Sequence, residues 1–268
     1  MVTSDLRNGY GVASVTITTT MADQPHALLL KFPGTNCDSE TARALEAVGF
    51  STEILPTSQL GPGLLDKADL VMLSGGFSYG DYVMAGRLAQ LRVESAIGDA
   101  LHRFADNGGF VLGVCNGFQI LTKLGLLPEG SLIDNTSGRF ICRWAGLEVQ
   151  NAAAAPLVHL PAAFELPIAH AEGRFVAPEG SAAEYAAKGF VALTYTDDIN
   201  GSTDRIAGLQ NAEGNVFGLM PHPERFLYRR HHYDPDWNEC GDEWGWGYHF
   251  FRGIFDRVTS ASPAPASA

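Results

Sequence analysis

Cys115, in the segment Gly-Val-Cys-Asn-Gly at 113–117, has the neighbours expected of a nucleophile on a tight turn. The apolar run 109–112 precedes it, and a helical pattern beginning at Phe118 follows it. Small residues two positions before and two after the nucleophile relieve the crowding of a strand-to-helix turn, as in the G-x-S-x-G motif. The N-terminus of a helix also stabilises a thiolate. The pattern predicts a reactive cysteine, and a buried, inert thiol is the alternative.

A candidate base for this nucleophile is His222, in the sequence Pro-His-Pro-Glu at 221–224. The two prolines fix the local backbone and favour extended geometry for the residues before them. Residues two apart in an extended segment point the same way, so Glu224 can orient the imidazole while His222 accepts the thiol proton. A solvated His–Glu pair in a loop is the ordinary alternative. Together with Cys115, the two residues predict a Cys-His-Glu triad.

A third element is the Gly75-Gly76 pair, which follows the apolar run 70–73. Glycines let the backbone approach a substrate closely. We expect the N–H groups of Gly76 and Asn116 to form an oxyanion hole for a tetrahedral intermediate. A plain turn at the end of a strand is the alternative, since most Gly-Gly pairs mark turns.

These segments, with others in the same order, resemble the class I glutamine amidotransferases. Within that group the chain is similar to the glutaminase subunits of phosphoribosylformylglycinamidine synthases from purine biosynthesis. The most specific segments are Phe-Pro-Gly-Thr-Asn-Cys-Asp at 32–38 and Gly-Gly-Phe-Ser-Tyr-Gly-Asp-Tyr at 75–82. The chain departs from the family at Ser74, where proline is usual. The other resembling segments are 113–121, 139–140, 143–144, 167–175, 200–202 and 221–225.

The resemblance implies that Cys115 attacks the side-chain amide of glutamine and that the glutamyl thioester is then hydrolysed. It also implies that Gln119 helps to bind glutamine. The ammonia would pass to a separate synthetase subunit that uses ATP and Mg²⁺ to convert formylglycinamide ribonucleotide to the amidine, with a small bridging subunit in multi-subunit forms. We expect no cofactor on this chain, which lacks a G-x-x-x-x-G-K-[ST] phosphate loop. Segments 77–82, 139–144 and 170–175 are candidates to face the synthetase.

Composition excludes other classes of protein. A net charge of −12 disfavours nucleic acid as a partner, because phosphate backbones bind clustered Lys and Arg. The sequence contains no apolar run of about 20 residues, so no membrane span is expected. Four cysteines without paired or metal-like spacing indicate a reducing cytoplasm. The segment 229–246 is rich in His, Asp and Trp, but its irregular spacing favours a surface loop over a metal site, so no metal is expected. Cys37 and Cys142 are interpreted as structural.

The periodicity alternates between strands and helices, which predicts an α/β fold with an open, mostly parallel sheet and helices on both faces. The nucleophile elbow would lie at the carboxyl end of a strand, where ligands bind in such sheets. Predicted strands cover 27–32, 51–55, 70–73 and 110–114, and predicted helices cover 39–48 and 88–104. Shorter strands between 139 and 220 would extend or flank the sheet.

We expect one amidotransferase domain at 25–258, a flexible N-terminal arm at 1–24 and a disordered tail at 259–268. The arm lacks the pattern of a signal peptide, and Met21 is a possible start.

Two other functions are compatible with a triad on this scaffold. A stand-alone γ-glutamyl hydrolase would use the same cysteine and histidine on a different substrate. A catalytically silent subunit would only dock the synthetase, which the presence of all three triad residue types disfavours.

Overall fold

The computed structural model describes residues 24–61, 63–81 and 86–261. The predicted N-terminal arm lies outside these residues except for Gln24, and so do 262–268 of the predicted tail. Within these ranges the strands are β1 His26–Lys31, β2 Ser51–Pro56, β3 Leu70–Leu73, β4 Phe110–Val114, β5 Ser131–Ile133, β6 Ile141–Val149, β7 Ala163–His170, β8 Arg174–Val176, β9 Val191–Tyr195, β10 Ile206–Gln210 and β11 Val216–Leu219. The α-helices are α1 Asp38–Val48, α2 Arg87–Asp106, α3 Asn116–Lys123, α4 Ser181–Ala187 and α5 Trp246–Ala261.

A nine-stranded sheet in the order β2-β1-β3-β4-β11-β10-β9-β6-β7 organises the fold. Neighbouring strands are parallel in the first part of this order, β2-β1-β3-β4-β11. They are antiparallel in the second part, β11-β10-β9-β6-β7. Strands β5 and β8 form a separate antiparallel pair. The predicted α/β class with a large, mostly parallel sheet is confirmed, and the later half of the chain extends that sheet as predicted.

Continuous apolar runs explain why the central strands are parallel and buried. Every residue of β3 and β4 is buried, and successive side chains of a strand point to opposite faces. Both faces of the sheet centre are therefore covered, as is usual for parallel strands. Helix α1 packs against α5, and α2 packs against α3. The predicted limits of β3 and β4 agree with the structure: polar residues flank β3, and Gly109 precedes β4.

The C-terminal helix corrects one predicted boundary. Helix α5 continues to Ala261, so 259–261 are helical rather than part of a disordered tail. The hydroxyl of Thr259 donates a hydrogen bond of 2.8 Å to the carbonyl of Phe255, one turn earlier. Among the described residues, no helix combines the length and the apolar character needed to cross a bilayer.

Candidate active site

Cys115 lies on the turn between β4 and α3, at the position that caps the helix. Its backbone has φ +52° and ψ −107°, a conformation that a residue with a side chain rarely adopts. The N–H of Cys115 donates to the carbonyl of Leu219 over 2.8 Å, which ties the turn to the end of the neighbouring strand β11. Strain at one non-glycine residue, held by its surroundings, is typical of a functional position. The predicted nucleophile elbow is therefore present.

The flanking glycines are required by close backbone contacts. A Cβ on Gly117 would lie 1.9 Å from the carbonyl oxygen of Leu73, at the end of β3. A Cβ on Gly113 would lie 2.7 Å from the carbonyl of Gly117 and 2.6 Å from the side chain of Leu121. Side chains at these positions would push α3 away from the sheet. The glycines thus let the helix start directly above the strands, with Cys115 at its N-terminus.

The predicted base, His222, and the predicted carboxylate, Glu224, are joined by a short buried hydrogen bond. His222 Nδ1 lies 2.6 Å from Oε1 of Glu224, and the two residues are 1% and 3% exposed. The N–H of His222 donates to the carbonyl of Pro167 over 2.8 Å, so β7 anchors the segment. Pro223 then begins a short 3₁₀ turn that contains Glu224, so the two side chains meet across a turn and not along the extended segment that was predicted. The burial rules out the solvated His–Glu pair considered from the sequence.

Parallel pairing brings the histidine to the cysteine. Strands β4 and β11 are neighbours, with Val114 opposite Leu219. Cys115 directly follows the first strand, and His222 lies three residues after the second. The carboxyl ends of parallel strands lie at the same edge of a sheet, so the two side chains share one site. The sulfur of Cys115 also lies 3.8 Å from the carbonyl oxygen of Ala169.

Electrostatics distinguish His222 from a second buried histidine. Burial lowers the pKa of His222, but the Glu224 carboxylate and the Cys115 sulfur outweigh this effect, so its pKa lies well above the ordinary value. The Nε2 atom of His222 is buried and has no hydrogen-bond partner among the described residues. His170 differs, since burial and the charge of His222 lower its pKa to about 4. The arrangement therefore favours an imidazolium at His222.

The Gly75-Gly76 turn closes over the same site. A Cβ on Gly75 would lie 2.8 Å from Cε1 of His222 and 3.4 Å from Cβ of Cys115. Gly76 has φ +145°, and a Cβ there would lie 2.8 Å from backbone atoms of 34–36. Asn116 begins α3 directly after the cysteine. The turn and the first helical residue therefore lie beside the sulfur, and their role as an oxyanion hole stays a prediction.

Gln119 lies one helical turn beyond Cys115 and is buried. Its amide Nε2 donates to the carbonyl of Glu172 over 2.6 Å, and its Oε1 accepts from Nδ2 of Asn116 over 2.8 Å. The side chain thus joins α3 to the loop after β7. For Gln119 to contact glutamine as predicted, the substrate must bond to the same amide atoms, either beside these two hydrogen bonds or in place of one of them.

A further residue of the site, Cys37, was interpreted from the sequence as structural. Its sulfur accepts a 3.1 Å hydrogen bond from Nη2 of Arg225, and donor atoms of Cys37, His222 and Glu224 lie within 4.8 Å of one another. Burial raises the pKa of Cys37, and the neighbouring imidazole of His222 partly offsets this effect. Thiol, imidazole and carboxylate could together hold a soft metal ion, although the bond between His222 and Glu224 already joins two of these donors.

The position of Cys37 could have been suspected from its sequence context. It lies in the segment 32–38, one of the two most specific resembling segments, and it directly precedes the first residue of α1. Its backbone N–H donates to the carbonyl of Gly75 over 3.3 Å, so the segment packs against the glycine turn. Cys142, also interpreted as structural, is exposed on β6 and does not pack in the core.

The chain is similar to known glutamine amidotransferases. Residues 24–254 match the family described as the CobB/CobQ-like glutamine amidotransferase domain. The phosphoribosylformylglycinamidine synthase subunit PurQ of Zymomonas mobilis is 44% identical, over 76% of this chain and 91% of that protein. The PurQ subunit of Thermotoga maritima is 43% identical, over 75% and 88%. A chain in the structure of PurLQS from Thermotoga maritima superposes with a TM-score of 0.73 at 37% identity, covering 88% of this chain and 99% of that one.

Proposed function

Because the chain belongs to the CobB/CobQ-like glutamine amidotransferase family, we propose that it is the glutaminase subunit of a phosphoribosylformylglycinamidine synthase. It hydrolyses glutamine to glutamate and ammonia, and the ammonia serves the synthesis of formylglycinamidine ribonucleotide in the cytoplasm. The observation that carries this proposal is a strained cysteine beside a buried histidine–carboxylate pair, in a chain 44% identical to a PurQ subunit.

The first half of the reaction uses the buried pair as an acid. The Cys115 sulfur attacks the side-chain carbonyl carbon of glutamine, and a tetrahedral intermediate forms. His222, held as an imidazolium beside Glu224, donates a proton to the departing nitrogen, and ammonia leaves. Glu224 keeps the imidazole in one orientation and stabilises its positive charge. The product bound to the enzyme is a γ-glutamyl thioester.

The second half returns the enzyme to its starting state. Neutral His222 removes a proton from water, which attacks the thioester carbonyl. Collapse of the second tetrahedral intermediate expels the sulfur of Cys115 and releases glutamate. The N–H groups of Gly76 and Asn116 stabilise the oxyanion in both intermediates, and Gln119 contacts the glutamine substrate. A glycine turn against the nucleophile supports this assignment, since it brings backbone close to the sulfur.

Labelling with an electrophilic analogue of glutamine tests the site. We expect one modification per chain, at Cys115, with glutamine protecting it. The Cys115→Ser variant should not be modified, whereas Cys37→Ser should still be. Modification at Cys37 in the parent protein would refute the assignment. A parallel screen of glutamine against γ-glutamyl peptides separates a glutaminase from a stand-alone γ-glutamyl hydrolase.

The partner is a synthetase subunit that holds ATP and Mg²⁺, together with a small bridging subunit. Exposed aromatic side chains support a docking surface at the predicted segments. Phe77 and Phe140 are 45% and 50% exposed, and their ring centroids lie 6.3 Å apart. Tyr82 falls outside the described residues. In the third segment, His170, Gly173 and Phe175 are buried, which leaves Ala171, Glu172 and Arg174 for contact.

Activation by the partner is the second test. We expect weak glutaminase activity from this chain alone and a rise when the synthetase and its nucleotide substrate are added. Formation of glutamate and of the amidine product should then be coupled. Equal glutamate release with and without the synthetase would contradict activation, while leaving the labelling result at Cys115 as an independent test of the nucleophile.

A further inference from the structure

A second group of metal-binding side chains lies between the 227–245 loop and the start of α5. Donor atoms of Cys240, Asp242 and His249 all lie within 4.8 Å of one another. The loop supplies the thiol and the carboxylate, and the first turn of α5 supplies the imidazole. We propose that these three side chains bind one Zn²⁺ ion that fastens the loop to the helix.

The donor types fit zinc better than the hard cations. Zinc binds Cys sulfur, His nitrogen and carboxylate oxygen, whereas Mg²⁺ and Ca²⁺ take oxygen ligands. Bond lengths of about 2.0–2.3 Å in a tetrahedron place neighbouring ligand atoms about 3.3–3.8 Å apart. Because the donor atoms lie within 4.8 Å of one another, they need to approach by at most about 1.5 Å, which small side-chain rotations supply. Three protein ligands leave the fourth position for water.

The backbone of the loop aims two of the donors at one point. Gly241, between Cys240 and Asp242, has φ +75°, and its N–H donates to the carbonyl of Asn238 over 3.3 Å. Oδ1 of Asp242 accepts a 2.9 Å hydrogen bond from the N–H of Trp244, which orients the carboxylate and leaves Oδ2 for a metal. Such support of a ligand by a second hydrogen bond is usual at metal sites.

His249 supports a bound ligand on grounds other than the distances between the three donors. Its Nε2 atom is buried and has no hydrogen-bond partner among the residues that the structure describes. A buried imidazole nitrogen without a partner is costly unless a ligand satisfies it. The side chain is held by neighbouring rings, with Trp246 at 5.8 Å and Tyr248 at 5.5 Å between centroids. Glu239 and Glu243 in the same loop add negative charge that favours a cation.

Sequence spacing alone does not reveal this site. The segment 229–246 contains Cys240 and Asp242, but His249 lies beyond it on the helix. The stacking of Trp244 on Tyr248, with centroids 4.0 Å apart, folds the loop back onto α5 and brings the third donor into place. The proposed ion lies on different residues from the triad, so it has a structural rather than a catalytic effect.

Metal titration of the full chain, after removal of metals with a chelator, tests the proposal. We expect one Zn²⁺ to bind per chain with a rise in Tm, and Co²⁺ to give a sulfur-to-cobalt charge-transfer band. Cys240→Ser should abolish the band, and Asp242→Asn, an exposed change that leaves the fold intact, should weaken binding more than about tenfold. Cys142→Ser and Cys37→Ser are matched controls that should retain binding.

Two results would overturn the inference. One is the absence of stoichiometric Zn²⁺ binding by the parent chain. The other is binding that survives Cys240→Ser or is lost in Cys37→Ser, since either would place the ion elsewhere. His249→Gln distinguishes a ligand from a packing residue, because it should remove the Zn²⁺-dependent rise in Tm as well as binding. Failure of this proposal leaves the glutaminase assignment unchanged.

Discussion

Replacing Glu224 with Gln tests the role of the buried pair most directly. The substitution preserves the shape of the side chain and removes the charge 2.6 Å from Nδ1 of His222. A hydrogen bond to a charged group contributes about 1.5–3 kcal/mol. If the transition state for ammonia departure depends on it, kcat/KM should fall about 10- to 150-fold. The loss should appear in kcat, because Glu224 does not contact glutamine in the proposed mechanism.

The assay is glutamate release by the complex with its synthetase, measured over a range of glutamine concentrations. Glu40→Gln is the matched control, because Glu40 pairs with Arg225 at 3.1 Å, and both side chains are about one-third exposed. An ion pair near the surface contributes about 0–1 kcal/mol to stability. Even if all of this were lost from the transition state, kcat/KM would fall at most about fivefold. If Glu224→Gln lost no more activity than Glu40→Gln, the proposed role of the carboxylate would be refuted.

The same variant has a pH signature. The carboxylate raises the pKa of His222 above its ordinary value, so in Glu224→Gln the pKa measured by NMR should fall. In the parent protein, a raised folded-state pKa contributes stability that is fully present below about pH 6.5, the ordinary histidine value, and is lost as the pH rises through the raised value. The stability cost of Glu224→Gln should therefore be larger in mildly acidic than in alkaline solution. An unchanged His222 pKa would contradict the electrostatic argument.

Three further predictions concern packing, the second thiol and docking. Gly117→Ala should destabilise the protein by several kcal/mol or prevent folding, since the added Cβ would lie 1.9 Å from a backbone carbonyl. In the control Gly98→Ala, in α2, the nearest atom to the added Cβ would be 3.6 Å away, so the free energy of unfolding should rise by about 0.5–1 kcal/mol. Chemical denaturation measures both variants, and equal effects would be inconsistent with the elbow geometry. Cys37→Ser should retain measurable glutaminase activity and Cys115→Ser should have none in the same assay, so loss of all activity in both would give Cys37 a catalytic role. Phe140→Ser should weaken synthetase binding about tenfold or more, as the loss of a hot-spot aromatic does, while an unchanged circular dichroism spectrum shows that the fold is kept. An unaltered Kd, measured by sedimentation, would exclude this ring from the interface.

Local sequence was sufficient for the parts of the site whose geometry depends on neighbouring residues. The glycines around Cys115 predict a tight turn because only they tolerate the close backbone contacts there. The prolines beside His222 restrict the backbone so that Glu224 reaches the imidazole within two residues. Apolar runs likewise predicted the parallel strands and their order along the chain. These features follow from steric limits and periodicity within a few residues.

Only the tertiary structure decided which distant segments meet. The pairing of β4 with β11 brings Cys115 and His222 to one edge of the sheet, and strand order is not encoded in the periodicity of either strand. The same holds for Cys37, whose contact with Arg225 joins positions 188 residues apart, and for His249, which reaches the 227–245 loop because the loop folds back on α5. Such contacts arise from the packing of whole elements, so a local pattern identifies the reactive residue types but not all of the neighbours that surround them.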